Sequence, residues 1–150
     1  MELMKSTINK ISLKKEKTYI KKAKVRSSRD AAEYTRMFFA DNLELFEEFH
    51  ILLLNNANTT IGWAQISQGG ITGTLVDVRL VAKYALDGLA TGIILAHNHP
   101  SGKMQPSHSD INLTKKVQKG LEILDIKVLD HVILGAEPGE YYSFADEGIL

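Results

Sequence analysis

The short apolar segment at residues 92–96 most constrains how this chain can fold. It follows a stretch, from residue 75 to residue 89, in which apolar residues recur with the helical period, and it precedes a second stretch of that kind. A near-continuous apolar strand between two helices is typical of an inner strand that is buried on both faces. With 150 residues the chain is long enough for one domain with a substantial core. We therefore expect helices on both sides of one sheet.

Other segments fit the same architecture. Ser28 is expected to cap a helix that continues through Met37 and Phe38. Residues 49–54 have the length and apolarity of a buried strand, and residues 60–67 form its return strand after a turn at residues 55–58. The remaining predictions are a loop with Gly69, Gly70 and Gly73, a loop at 97–106, a helix at 107–124, and strands at 126–134 and 141–144. This order predicts a three-layer α-β-α domain.

The chain contains no cysteine, and this absence removes several classes of site. Disulfides, thiolate nucleophiles and Cys-ligated zinc are excluded, so any metal must be bound by His, Asp or Glu. No apolar segment approaches the roughly 20 residues that span a bilayer. The beginning of the sequence alternates lysines with single apolar residues and has no continuous apolar region of the kind found in secretory signals. We expect a cytoplasmic protein without a membrane partner.

Basic residues are concentrated at the beginning of the sequence. Residues 1–30 contain ten Lys/Arg and three acidic residues, whereas residues 31–150 contain eight basic and fifteen acidic residues. We interpret residues 1–27 as a basic arm or leading strand, with a possible short strand at 18–25. The arm is either a solvated, Lys-rich segment or a contact for nucleic acid or an acidic partner. Lysines 14, 15, 21 and 22 would carry such a contact.

The residues with the clearest chemistry follow the strand at 92–96. His97 and His99 are two positions apart in an extended segment, so their side chains point the same way and can reach one ion. Pro100, Ser101 and Gly102 then turn the chain back. Asp110 lies in the first turn of the next helix, on the same face as Ser107. Two imidazoles and a carboxylate suit a catalytic zinc ion with one open position.

Each part of this pattern has a simpler explanation when taken alone. Two histidines at the end of a strand can be ordinary loop residues, and Ser107 with Asp110 also forms a capping box for a helix. The literal string His-Asn-His suggests a nuclease, although in those enzymes the named residues are dispersed along the chain. The combined pattern is more specific, because capping accounts for Ser107 and Asp110 but leaves both histidines without a role.

The string HNHPSG occupies residues 97–102, and Ser107-x-x-Asp110 follows with seven residues between His99 and Ser107. This pattern resembles the JAMM motif. Residues 129–133 and the sequence Tyr142-Ser143-Phe144, with Gly148 after it, are similar to the RadC-like branch of the JAB/MPN superfamily. The similarity begins near Ser28. We therefore divide the chain into the arm at 1–27 and a RadC-like JAB/MPN domain at 28–150.

This resemblance implies a cytidine-deaminase-like α-β-α fold with a mixed central sheet. It further implies that His97, His99 and Asp110 bind zinc and that Ser107 helps to stabilise a tetrahedral intermediate. The superfamily includes zinc isopeptidases that remove ubiquitin-like tags. Deaminases of the same fold use cysteine ligands, so the absence of cysteine argues against deamination here. Longer RadC proteins carry a helix-hairpin-helix module, which residues 1–27 are too short to form, and this weakens a DNA-directed role.

Hydrolysis also needs a group that takes up and returns a proton. JAMM enzymes use a glutamate near the start of an early core strand, and here Glu47 and Glu48 directly precede the strand at 49–54. We favour Glu47, because Glu-x-Phe at this place resembles other RadC-like proteins. Glu48 remains the alternative, and both side chains could instead be solvated.

The remaining polar candidates are assigned simpler roles. Ser101 is expected in a turn and Trp63 in packing, and His50 and His108 are expected to face solvent or to be incidental. His131 is expected to be a buried histidine that supports other residues rather than a metal ligand.

Three functions remain open. The first is a JAMM-type zinc hydrolase acting on a peptide or isopeptide bond. The second is a non-catalytic binding module of the same fold linked to DNA repair or processing, and the third is a metal-dependent nuclease. Neither the substrate nor the oligomeric state follows from the sequence.

Overall fold

The computed structural model describes residues 7–12, 14–39, 41–69 and 75–150. These residues form three helices and five strands arranged around one sheet. The helices are α1 (Ser28–Arg36), α2 (Val78–Asp87) and α3 (His108–Glu122), and the strands are β1 (Glu48–Leu54), β2 (Thr60–Gln68), β3 (Gly92–Asn98), β4 (Lys127–Leu134) and β5 (Tyr141–Ser143).

The sheet contains both parallel and antiparallel strand pairs, as predicted from the family resemblance. Its strand order is β2-β1-β3-β4-β5, and only the pair β3–β4 is parallel. A parallel pair needs a crossover connection, which α3 supplies between these two strands. The central position of β3 therefore brings the residues at its carboxyl end between β1 on one side and β4 on the other.

Both faces of the sheet are covered, which confirms the three-layer architecture. Strands β1 and β3 are buried at every position. Because side chains alternate between faces, Ile51 and Leu53 pack with Val81 of α2 and Val117 of α3. The intervening residues of β1 belong to a second core with α1, which includes Leu52, Leu54, Ala31, Ala32 and Phe39.

The starts of helices α1 and α2 differ from the sequence prediction, and α1 ends at Arg36, before Met37 and Phe38, which were predicted to lie in it. Helix α1 is capped by Ser27, whose hydroxyl accepts a hydrogen bond from the backbone N–H of Asp30, and not by Ser28. Adjacent serines cap equally well by composition, so only the backbone angles distinguish them. The periodic pattern from residue 75 begins a helix only at Val78, because Asp77 caps it through the N–H of Arg79.

The predicted strand at 18–25 is reduced to a single bridge between Lys24 and Thr59. Backbone hydrogen bonds from Val25 to Asn58 and from Thr60 to Ala23 hold this contact. The division at residue 27 stays a prediction. Residues 1–6 and 13 of the arm, and Gly70 and Gly73 of the glycine loop, lie outside the described residues.

Among the helices of the described residues, none is long and apolar enough to cross a bilayer. The cytoplasmic location stays a prediction.

Candidate metal centre

Strand β3 ends later than the sequence suggested. The predicted loop at 97–106 begins two residues too early, because His97 and Asn98 still pair with Ile133 and Leu134 of β4. His97 is 1% exposed and His99 lies just beyond the strand, where it is partly exposed. Polar residues at the end of an apolar strand look like loop residues in the sequence, but here the neighbouring strand continues beside them.

Four side chains converge at this end of β3. The Nε2 atoms of His97 and His99 are 2.9 Å apart. Asp110 Oδ1 lies 3.5 Å from His97 Nε2, and Asp110 Oδ2 lies 3.3 Å from His99 Nε2. Glu47 completes the group, since one ligand atom from each of the four residues lies within 4.8 Å of the others. Glu47 and Asp110 are 63 positions apart in the chain, but their side chains face the same point.

The hydrogen-bond network assigns the tautomer of His99. Its Nδ1 atom is 2.6 Å from the backbone carbonyl oxygen of Lys103, which can only accept. Nδ1 therefore carries the hydrogen, and the neutral ring presents a lone pair at Nε2.

The tautomer of His97 follows from a longer chain of contacts. Thr114 Oγ1 donates to the carbonyl oxygen of Asp110 at 2.7 Å, so it must accept from His131 Nδ1 at 2.6 Å. With its hydrogen on Nδ1, neutral His131 accepts at Nε2, where His97 Nδ1 lies at 2.7 Å. His97 consequently also presents a bare Nε2 atom. Such outer hydrogen bonds are the usual way in which metal-binding histidines are oriented.

The residues present fit a cation. Two nitrogen lone pairs face each other at 2.9 Å beside a carboxylate, an arrangement that repels itself unless positive charge lies between the groups. Ligands of a tetrahedral zinc ion at 2.0–2.1 Å are themselves about 3.3 Å apart. The two nitrogen–oxygen separations agree with that value, and the nitrogen–nitrogen separation is a few tenths of an ångström shorter.

The pKa shifts of His99 and Asp110 also indicate that this cluster favours a cation. A hydrogen bond with Asp110 raises the pKa of His99 above its usual value, although burial opposes this. Burial by itself raises the pKa of the Asp110 carboxyl, but the hydrogen bonds that His97 and His99 donate when their rings are protonated outweigh it and hold this pKa far below its usual range. The site therefore keeps a carboxylate and attracts positive charge, for which a proton and a metal ion compete.

Asp110 takes part both in the cap of helix α3 and in the cluster with the two histidines. Its Oδ2 atom accepts a 2.7 Å hydrogen bond from the backbone N–H of Ser107, while its own N–H donates to Ser107 Oγ at 3.0 Å. This reciprocal pair is the capping box of α3. Because the same Oδ2 atom faces His99, the capping explanation and the metal explanation are compatible, and the cap holds the carboxylate towards the histidines.

Glu47 and Glu48 lie on opposite faces of the sheet. Phe49 stacks on the ring of His97 with centroids 5.8 Å apart, and Glu47, two positions earlier, lies on the same side. Glu48 is 3% exposed and its carboxylate contacts His50 and Asn42 on the α1 side. Glu47 therefore belongs to the metal centre by geometry, and its role as a base stays a prediction.

The expectation that His50 faces solvent is wrong. His50 is 2% exposed, and its Nε2 atom lies 2.8 Å from Glu48 Oε2, with the ring tilted against Phe39. The reason is that β1 is buried on both faces, so even its polar residues are covered. Its Nδ1 atom has no hydrogen-bond partner among the described residues.

Other sequence predictions agree with the geometry. His131 is fully buried and supports His97. His108 is exposed. Ser101 is also exposed and accepts a hydrogen bond within its turn from the N–H of Lys103. Trp63 stacks on Phe38 with ring centroids 4.6 Å apart.

Sequence reasoning did not identify two residues. Thr114 closes the chain of hydrogen bonds behind His97, and Asn98 makes three hydrogen bonds from a fully buried position. A signal exists for Thr114, because it lies four residues after Asp110 and so shares its face of α3.

A family model described as "RadC-like JAB domain" matches residues 25–149 of the chain. Among the similar proteins is a "UPF0758 protein" of Flavobacterium johnsoniae, which is 50% identical over 131 residues, or 87% of this chain and 56% of that protein. A "UPF0758 protein" of Porphyromonas gingivalis is 49% identical over 104 residues, or 69% of this chain and 45% of that protein.

The "UPF0758 protein YkfG" of Escherichia coli is 44% identical over 104 residues, which cover 69% of this chain and 65% of that protein. In the first two comparisons the matched region spans about half the length of the relative.

Proposed function

The chain belongs to the RadC-like JAB domain family, and on this premise we propose that it is a zinc-dependent metallohydrolase that cleaves a peptide or isopeptide amide bond. The names of its relatives state no activity. The proposal therefore rests on one observation, the convergence of two imidazole nitrogens, with their tautomers set, and two carboxylates at the end of β3.

In this proposal His97, His99 and Asp110 bind the zinc ion. Two nitrogens and one oxygen form the mixed ligand set that catalytic zinc prefers over the all-oxygen sets of magnesium and calcium. When bound, zinc supplies Lewis acidity, which draws electron density from a carbonyl oxygen and lowers the pKa of water.

Glu47 is the proposed general base. Its side chain is half-buried and lies with the other members of the cluster. As a carboxylate it takes a proton from the attacking water while the water oxygen bonds to the scissile carbonyl carbon. It then returns that proton to the amine nitrogen as the carbon–nitrogen bond breaks.

Ser107 is the proposed donor to the oxyanion. Its Oγ atom accepts the N–H of Asp110 in the capping box, and this leaves the hydroxyl hydrogen available to donate. A donor held by the end of a helix is already oriented, so it stabilises developing charge without further reorganisation.

Metal analysis and hydrolysis together test the proposal. Protein purified without added zinc is expected to hold about one zinc ion per chain, and the His97→Ala/His99→Ala variant none. Glu47→Gln, assayed with enough added zinc to fill the site, is expected to lose about 10²- to 10⁴-fold in the cleavage of a mixed peptide and isopeptide library read by mass spectrometry. Equal zinc in wild type and double variant, or full activity of Glu47→Gln, would contradict it.

A binding module of the same fold that contacts nucleic acid is a second candidate. It is favoured by one observation, the exposure of Lys14, Lys15, Lys21 and Lys22 on the basic arm. In that case the binding of nucleic acid is sensitive to salt and is unchanged by Asp110→Asn.

A metal-dependent nuclease would use the same metal centre and is detected as metal-dependent cleavage of single- or double-stranded DNA.

A further inference from the structure

Asn98 lies between the two candidate histidine ligands in the chain, but on the other face of the sheet. It is fully buried and follows Ala96 on the side of α1, whereas His97 faces α3. Its amide makes three hydrogen bonds of 2.8 Å. Its Oδ1 atom accepts from the N–H of Glu48, and its Nδ2 atom donates to the carbonyl oxygens of Leu43 and Phe46.

Two of these bonds hold the peptide groups on either side of Glu47. The carbonyl of Phe46 belongs to the peptide bond that precedes Glu47, and the N–H of Glu48 belongs to the one that follows it. Fixing both peptide planes fixes the direction in which the Glu47 side chain leaves the backbone. A further bond, from the N–H of Gly69 to the Glu47 carbonyl at 2.8 Å, ties the same residue to the end of β2.

We propose that Asn98 is a positioning residue, which aims the Glu47 carboxylate at the metal centre from the opposite face of the sheet. The inference rests on the proposed function, in which Glu47 acts beside the zinc ion. The segment before β1 is held at Leu43 and Phe46 by the strand that also carries His97. These hydrogen bonds therefore tie the segment with the base directly to the ligand strand.

The chemistry of the contact selects asparagine. One acceptor and two donors on a short, planar group match one N–H and two carbonyl oxygens. Aspartate has the same shape but lacks the donors, so it would direct a carboxylate oxygen at two carbonyls. Alanine removes all three bonds and leaves the partly buried carbonyls of Leu43 and Phe46 without this donor.

A double-mutant cycle on zinc affinity tests the role. Dissociation constants are measured by competition with a chromophoric chelator for wild type, Glu47→Gln, Asn98→Ala and the double variant. Glu47→Gln is expected to weaken zinc binding about tenfold, because it removes a negative charge a few ångströms from the cation. Asn98→Ala is expected to weaken it several-fold in the wild type and less than twofold in the Glu47→Gln background, because it acts through Glu47.

Two further variants separate positioning from loss of structure. Asn55→Ala also removes a loop-holding amide, since Asn55 Oδ1 accepts from the N–H groups of Ala57 and Thr59, but it lies at the far end of β1 and is expected to leave zinc affinity unchanged. If Asn98→Ala does not fold, the uncharged Asn98→Ser replaces it in the cycle, with circular dichroism as the check of folding.

The outcomes are distinct. Equal weakening by the Asn98 substitution in both backgrounds, or no weakening in the wild type, overturns the positioning role and leaves the proposed function standing. Zinc binding with no hydrolysis by the wild type overturns the proposed function, while the cycle still decides on Asn98. A wild type that binds no zinc overturns both.

Discussion

His97 Nδ1 lies 2.7 Å from Nε2 of His131, a contact that joins a candidate metal ligand on β3 to a fully buried histidine on the parallel strand β4. Burial holds the pKa of His131 well below its usual value, so the ring is neutral at physiological pH. A neutral ring with its hydrogen on Nδ1 can only accept from His97. The contact therefore sets which nitrogen of His97 faces Asp110.

Replacing His131 should weaken metal binding although it is not a ligand. In His131→Ala the Nδ1 atom of His97 loses its acceptor, and we expect zinc affinity to fall about 10- to 100-fold, as for other residues that support metal ligands. Chelator competition measures the change. His108→Ala, which removes an exposed histidine near the same helix end, serves as the control and should leave the affinity unchanged. Equal affinities of the two variants would contradict the prediction.

Zinc affinity should also depend on Thr114, which is hydrogen-bonded to His131 and so lies one contact further from the metal. Thr114→Val keeps the shape of the side chain but leaves His131 Nδ1 without its acceptor. We expect a loss of about 1–3 kcal/mol in the free energy of unfolding, the cost of a buried unpaired group, together with a several-fold weaker zinc affinity. Thr114→Ser retains the hydroxyl and should recover most of the affinity. A serine variant as weak as the valine variant would show that volume, not the hydrogen bond, matters.

Ser107→Gly separates the helix cap from the proposed oxyanion donor. Glycine is nearly as good an N-cap as serine, so the free energy of unfolding should fall by only a few tenths of a kcal/mol. The hydroxyl is lost, and peptide cleavage is expected to fall about 10²-fold with the zinc content unchanged. Thermal unfolding and single-turnover cleavage measure the two effects. Full cleavage activity in the glycine variant would remove Ser107 from the mechanism.

His50 should make the metal-free protein less stable in acid. Burial lowers its pKa, and the hydrogen bond to Glu48 offsets this only in part. The unfolded chain then binds a proton at a higher pH than the folded chain. The free energy of unfolding therefore falls as the pH drops from about 6.5 through the lower folded pKa, by at most ~1.4 kcal/mol per pH unit for this group.

His50→Gln keeps a donor for Glu48 but does not titrate in this range. We expect a shallower pH dependence of stability between pH 7 and 5 in this variant, measured by urea unfolding in the presence of a chelator. His131 has a lowered pKa as well and contributes equally in both proteins, so some slope should remain. Identical slopes in variant and wild type would contradict the assignment to His50.

The basic arm yields a prediction for the second candidate function. If it contacts DNA, neutralising Lys14, Lys15, Lys21 and Lys22 to glutamine should reduce the salt dependence of binding, with the slope of log K against log salt changing by about 3–4. The matched control is Lys115→Gln/Lys119→Gln on the exposed face of α3. Binding that neither responds to salt nor changes in the fourfold variant would exclude the arm as the contact.

The elements around the metal centre were predictable because they have strong local signals. Helix α3 begins with a capping box, and β3 is an apolar segment, so both were found within two residues of their ends. The two histidines and Asp110 followed from the alternation of strand residues and the first turn of a helix. The end of β3 was less predictable, because the pairing of His97 and Asn98 depends on β4, about 35 residues later in the chain.

Contacts set by the tertiary structure were missed. The burial of His50 depends on α1 covering one face of β1, which no local pattern around residue 50 indicates. The three bonds of Asn98 reach residues 50 or more positions away. Glu47 and Glu48 differ only in the face on which they lie, and that face is fixed by the contact of Phe49 with His97.

The parallel pairing of β3 with β4 also determines when the centre can form during synthesis. The centre draws on four parts of the chain that are synthesised in turn. Glu47 comes first, followed by His97 on β3, Asp110 on α3 and the supporting His131 on β4. A nascent chain that has not yet released β4 from the ribosome contains both histidine ligands but lacks the partner that orients one of them. If the centre binds zinc as proposed, metal uptake by the growing chain should therefore occur late, after the slow non-local pairing of β3 with β4.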